Sequence, residues 1–111
     1  MGIQVFGTKK SHDTRKAEMF FKERKIPFQS VDLTEKGMSR GELESVARAV
    51  GLDALIDRDG KEYEKRGLKY MAFDALELLG REPLLLKQPV VRDGKRATVG
   101  YRPEEWKNWL A

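Results

Sequence analysis

The stretch Phe6-Gly7-Thr8-Lys9-Lys10-Ser11-His12-Asp13-Thr14-Arg15-Lys16-Ala17 joins a short apolar start to a helical pattern. Upstream, Gly2 to Phe6 reads as a strand, with Ile3, Val5 and Phe6 apolar. Gly7 to Lys10 is a polar turn. Ser11 or Asp13 is suited to cap a helix running to about Lys25, because a short side-chain oxygen there accepts an otherwise orphaned backbone N–H. The apolar set of that helix is Ala17, Met19, Phe20 and Phe21, with Lys and Arg on its other faces, and Pro27 ends it. Phe28, Ser30, Val31, Asp32 and Leu33 form a second strand. A helix between the two strands predicts that they run parallel.

Downstream, Ser39-Arg40-Gly41-Glu42 has the form of a capping box, with Ser at the N-cap and Glu three residues on. The helix it starts carries Leu43, Val46, Ala47 and Val50 at three- and four-residue spacing, and Gly51 fits the position just past its end. Asp57-Arg58-Asp59-Gly60 is a turn, followed by a short helix over Glu62 to Arg66 that Gly67 stops. A further helix is predicted from about Ala72 to Leu79, with Phe73, Leu76 and Leu79 apolar and Gly80 ending it. Pro83 to Lys87 reads as a connector. Val90-Val91 and Thr98-Val99-Gly100-Tyr101 read as strands joined through Asp93-Gly94, a hairpin signal. Pro103 sits at the first position of a last helix, with Glu104 and Glu105 in its positive first turn. Trp106, Trp109 and Leu110 form its apolar side, and the two Trp read as core packing rather than base stacking. The order βαβ, helices, ββα predicts an α/β fold. Its four-stranded mixed sheet is parallel at the start and antiparallel in the hairpin, with a helical insertion over about 37–82.

A chain of 111 residues suits a single domain, 1–111, with one core. Its 36% charged and 40% hydrophobic residues are ordinary for a soluble globular protein. No run approaches the roughly 18 apolar residues of a membrane span. Met1 to Phe6 lack a basic n-region and a long apolar h-region, so no secretory signal is read and the cytoplasm is the expected location. The absence of cysteine excludes disulfides, thiolate metal sites and thiol catalysis by the chain itself. A single histidine, His12, argues against a metal site. The net charge of +4 and pI near 9.4 are mildly basic, and the bases are interspersed with 18 acids. That pattern reads as a solvated mixed-charge surface and argues against a nucleic-acid partner.

Four short motifs follow one another in order along nearly the whole chain. They are Gly7 through Ala17; Phe28-Gln29-Ser30-Val31-Asp32-Leu33; Leu86-Lys87-Gln88-Pro89-Val90-Val91; and Val99-Gly100-Tyr101-Arg102-Pro103-Glu104-Glu105-Trp106. With the element order, they resemble the arsenate reductase–Spx (ArsC-like) family of thioredoxin-fold proteins. The resemblance implies roles by position. Ser11 stands where the family has its nucleophilic cysteine, and Thr14 matches the second position of its Cys-x-x-Cys or Cys-x-x-Thr pattern. Arg15 and Lys16 match the basic pair that follows. Pro89 matches the proline, typically cis, that faces the nucleophile and lines the substrate groove. Arg102 matches one of the arginines that hold an arsenate or sulfonate oxyanion. Two positions depart further: Gln88 replaces the arginine before the proline, and the region of a third anion-binding arginine offers only Arg58, one place off.

A helix N-terminus can bring a thiol pKa to about 3.5–7.5. It does not turn a lone serine hydroxyl into a comparable nucleophile, which needs an adjacent base. Arsenate reduction requires a thiolate to attack arsenic, so the resemblance implies that this chain as it stands does not catalyse it. Three functions are left open. The first is a cysteine-less, redox-inactive protein that binds a partner or regulates, with RNA polymerase as the candidate that the Spx branch implies. The second is an arsenate reductase-like or glutathione-linked oxidoreductase. Its cysteine would be replaced at Ser11 by engineering, or its thiol brought by the substrate, and glutathione is the one cofactor it implies. The third is a module binding an oxyanion through the Ser11 helix end and Arg102. The residues carry alternatives of their own. Ser11 is a helix cap or an anion ligand, and Arg102 is a site arginine or the ion-pair partner of Glu104 or Glu105. His12 is a proton-transfer group or an exposed first-turn residue. Lys9, Lys10, Arg15 and Lys16, the densest basic cluster, attract an anionic ligand or an acidic protein face, or are merely solvated.

Overall fold

The computed structural model describes residues 2–111. Strand β1, Ile3–Gly7, is second in a four-stranded sheet and is covered on both faces. The period of two along a strand sends Ile3 and Val5 into one cluster and Phe6 into another. The first cluster packs the sheet against Ala17, Phe20 and Phe21 of helix α1, His12–Glu23, and against Trp106 of helix α5, Pro103–Leu110. The second packs it against Leu43 and Val46 of helix α2, Arg40–Val50, and Leu79 of helix α4, Ala75–Arg81. Tyr63 of the short helix α3, Lys61–Lys65, joins that second cluster.

The sheet order is β2-β1-β3-β4. Strand β2, Phe28–Asp32, runs parallel to β1 with Ile3 opposite Phe28. Strand β3, Val90–Asp93, runs antiparallel to β1 with Val5 opposite Val91, and pairs with β4, Arg96–Val99, across the hairpin. Gly94 takes φ +63 in that turn, a conformation glycine adopts at no steric cost. The mixed α/β sheet and its parallel and antiparallel halves are those the sequence predicts.

Several local expectations are corrected. Helix α1 starts at His12 on a Ser11 cap, leaving Asp13 in its first turn, and ends at Glu23, before Lys25 takes φ +57. Its buried residues are Thr14, Ala17, Phe20 and Phe21, which leaves Met19 on the opposite face and 53% exposed. Helix α4 begins at Ala75, because the Asp74 side chain accepts the Glu77 N–H. Gly80 lies inside that helix rather than past it. Strand β4 stops at Val99, because Gly100 turns to φ +83 and donates its N–H to the Pro89 carbonyl. Leu110 is exposed rather than on the buried side of α5. Three short 3-10 turns are present, Asp53–Leu55, Leu68–Tyr70 and Pro83–Leu85, the last of them in the segment read as a connector.

Candidate functional site

The β1–α1 junction is held by three hydrogen bonds around Thr8. The Ser11 N–H donates to the Thr8 carbonyl at 3.1 Å. Gln88 Oε1 accepts both the Thr8 N–H at 2.8 Å and the Thr8 hydroxyl at 3.0 Å. Gln88 is followed by a cis peptide bond to the buried Pro89, whose carbonyl is bonded by Gly100. The start of α1 and the chain entering β3 are therefore stitched together side by side. Ser11 Oγ accepts the Thr14 N–H at 3.2 Å, which is the geometry of a helix N-cap. His12 is exposed, and no hydrogen bond joins it to Ser11.

A groove of about 510 Å³ opens beside this junction. Thr8, Ser11 and Gln88 line it together with Lys10, Lys61 and Lys87, and with the carboxylates of Asp57 and Glu62. Three ammonium groups against two carboxylates make it a polar, slightly positive cleft. Among the described residues, no group of three or more His, Asp or Glu side chains is placed to hold a metal.

The other residues singled out from sequence lie elsewhere. Thr14 is buried at 4% exposure with its Oγ1 unpartnered, and it fills the space over Gly7. A Cβ on Gly7 would stand 2.2 Å from that Oγ1, so the glycine is required by the close approach of the helix. Arg15 is exposed and donates to the Lys9 carbonyl at 3.1 Å, outside the groove. Arg102 is exposed, and its Nε donates to the Val99 carbonyl at 3.2 Å. It makes no ion pair with Glu104 or Glu105 among the described residues; Glu104 pairs with Lys107 at 3.6 Å instead. Arg58 donates to the Tyr63 hydroxyl at 3.1 Å and pairs with Asp53 at 3.4 Å. The structure thus brings Ser11 and Gln88 together in the groove, buries Pro89 next to Gln88 without its lining the groove, and leaves Thr14, Arg15, Arg58 and Arg102 outside it. Sequence reading missed Thr8, Lys61 and Lys87. Thr8 sits in the polar turn it identified and Lys87 in the motif that carries Gln88, but Lys61 reaches the groove only through the fold.

Asp32, at the end of β2 beside Gly7, is held below the usual carboxylate range. The Thr34 hydroxyl and N–H both donate to its Oδ1, at 2.7 and 2.9 Å, and outweigh the slight desolvation, with the Lys9 charge adding a smaller attraction.

Sheet order, helices on both faces and a cis-proline beside a strand-to-helix junction define an α/β protein of thioredoxin-like architecture. The family model described as ArsC family matches residues 6–109, and the chain belongs to that family. It is 26% identical to the protein YusI of Bacillus subtilis (strain 168), over 98% of this chain and 99% of that one. It is 29% identical to the global transcriptional regulator Spx of the same organism, over 86% of this chain and 77% of the regulator. Among solved structures it superposes on the YFFB (PA3664) protein with a TM-score of 0.85 at 26% identity, covering 98% of this chain and 99% of the other. The arsenate reductase from Vibrio cholerae shares the fold, with a TM-score of 0.81 at 18% identity over 97% of each chain.

Proposed function

We propose that this ArsC-family chain acts in the cytoplasm by binding a protein partner, as a regulator rather than as a thiol oxidoreductase. The observation that carries this reading is Ser11. The residue at the family's nucleophile position has a hydroxyl engaged as the cap of α1, with no base hydrogen-bonded to it. The groups around it support the same view. Gln88 carries no charge and its Oε1 is engaged by Thr8, and Arg102 does not line the groove, so no arginine faces Ser11 there as an oxyanion ligand. The polar, slightly positive groove beside Ser11 favours a carboxylate-bearing peptide segment over an apolar ligand. RNA polymerase is the first partner to test, on the resemblance to the Spx regulators.

The test uses the chain as it is. Purified protein is mixed with RNA polymerase at low salt and the complex sought by light scattering, alongside glutathione- and thioredoxin-coupled assays of arsenate and disulfide reduction. A stoichiometric complex without turnover is expected. Turnover by the Ser11 protein overturns the binding reading, and the absence of a complex removes RNA polymerase as the partner.

A further inference from the structure

The net charge of this protein is not spread over its surface. The chain holds 22 bases and 18 acids, and residues 9–25 alone contain seven of the bases and three of the acids. That excess equals the whole net charge of +4, so the rest of the chain is balanced. The segment's bases also form no ion pair with a carboxylate among the described residues. Every ion pair among the described residues lies outside it, although most of the arginines elsewhere in the chain are paired. Unpaired cations on one face sum to a field that attracts anionic partners.

Helix α1 places an apolar side chain in the middle of this field. Met19, 53% exposed, is the ridge shared by two hollows of about 520 and 320 Å³. Lys9, Arg15 and Lys22 line the first hollow, and Lys16, Arg24 and Lys107 line the second. We propose that this face of α1 docks an acidic protein segment that lays an apolar side chain against Met19 and sets carboxylates over the two hollows. Methionine is unbranched and polarisable, which suits it to accept apolar side chains of varied shape.

The same face is poorly made for the other anionic macromolecules. Glu18 lines the first hollow and Glu23 the second, and each repels a continuous chain of phosphates. The ring of Phe20 is covered by the Arg24 guanidinium at 3.8 Å and that of Tyr101 by the Lys16 ammonium at 4.3 Å, which removes the aromatic faces that bases stack on. One exposed methionine offers a bilayer little area to bury. The face shares only Thr8 with the lining of the Ser11 groove and does not depend on RNA polymerase being the partner.

The experiment titrates the full chain, isotope-labelled on its backbone amides and methionine methyls, with a short synthetic peptide of Asp and Glu around a single Leu. An oligo-dT strand and vesicles containing phosphatidylserine are titrated in parallel. Saturable shifts of the Met19 methyl and the α1 amides are expected with the peptide. The charge reversal Arg15→Glu/Lys22→Glu should weaken it about tenfold, and Met19→Ala should weaken it by a smaller factor. The charge-matched control Arg48→Glu/Lys95→Glu, at exposed positions away from α1, should leave affinity near its original value. All these substitutions are on the surface, and the amide spectrum of each variant reports that it is folded. The inference is overturned by an absence of saturable Met19 shifts, by an equal loss in the matched control, or by tighter binding of the oligonucleotide or the vesicles.

Discussion

Gly7, Ser11 and Thr14 show how closely the start of α1 is built onto β1. Thr14 is β-branched and buried, so its side chain has little freedom to retreat from a neighbour. Gly7→Ala would drive a methyl to 2.2 Å from Thr14 Oγ1 and 2.5 Å from its Cγ2. The expected loss is about 1–3 kcal/mol by urea denaturation, the scale of overpacking. Thr14→Ala removes both of those atoms, so the double variant should recover part of the loss, and a strictly additive cycle would show that the clash is relieved elsewhere. At Ser11 the prediction concerns chemistry. A Ser11→Cys thiol would sit at the N-terminus of a twelve-residue helix. Its pKa, followed by pH-dependent alkylation, should fall below the ordinary value of about 8.5. Arsenate turnover should nevertheless stay absent, because Arg102 lies outside the groove lining and Gln88 carries no charge. Turnover in that variant would mean that Arg102 swings to the site and that only the nucleophile is missing.

At the scale of elements, α2 is fastened at its first turn and sensitive to acid there. Ser39 Oγ accepts the Glu42 N–H at 3.2 Å, and Glu42 Oε1 accepts the Ser39 N–H at 2.9 Å. Burial works to raise the Glu42 pKa and is the largest single effect on it. The Ser39 N–H and hydroxyl, the Gln4 amide and the Arg92 charge together outweigh it and hold the carboxyl below its ordinary value. A carboxyl lowered on folding stabilises the native state above its unfolded pKa, near 4.3. That contribution is lost as pH falls through the lower folded value. Glu42→Gln should therefore reduce stability at neutral pH by about 1 kcal/mol, the scale of a lost cap. It should also flatten the decline in urea midpoint on going from neutral pH to below the glutamate range. A parallel decline in both proteins would mean that other carboxylates govern the acid limb. This cap was legible in the sequence because its signal is local, a Ser and a Glu three residues apart. Asp74 carries the same kind of signal for α4, but the apolar Ala72 and Phe73 drew the predicted start too far forward. The 3-10 turns were not legible. Two of them are placed by non-local bonds between Asp57 and Leu85 and between Lys87 and Leu55.

Over the whole molecule, the strand pattern and helix caps were enough to predict a mixed α/β sheet, since each apolar alternation reports its own burial. The site was legible only in part. Resemblance pointed to Ser11, Gln88 and Pro89, yet the bond from Thr8 to Gln88 spans 80 residues, and no local pattern announces Lys61 beside them. Arg102 illustrates the converse, because its position was readable but the direction of its side chain was not. The core tests how far the two ends of the chain depend on each other. Trp106 is fully buried against Phe20 and Phe21, with ring centroids 5.3 Å away in both cases, and its Nε1 donates to Thr98 Oγ1 at 2.8 Å. Trp106→Ala should cost about 3–5 kcal/mol, a large share of the roughly 5–15 kcal/mol that holds a domain of this kind. Trp106→Phe keeps most of the apolar contact but leaves the buried Thr98 hydroxyl without its donor, at about 1–3 kcal/mol. Thr98→Val in that background removes the orphaned hydroxyl and should restore part of the loss in urea denaturation. No restoration would show that the indole acts through its volume alone, and that the hydrogen bond between α5 and β4 is incidental to the core.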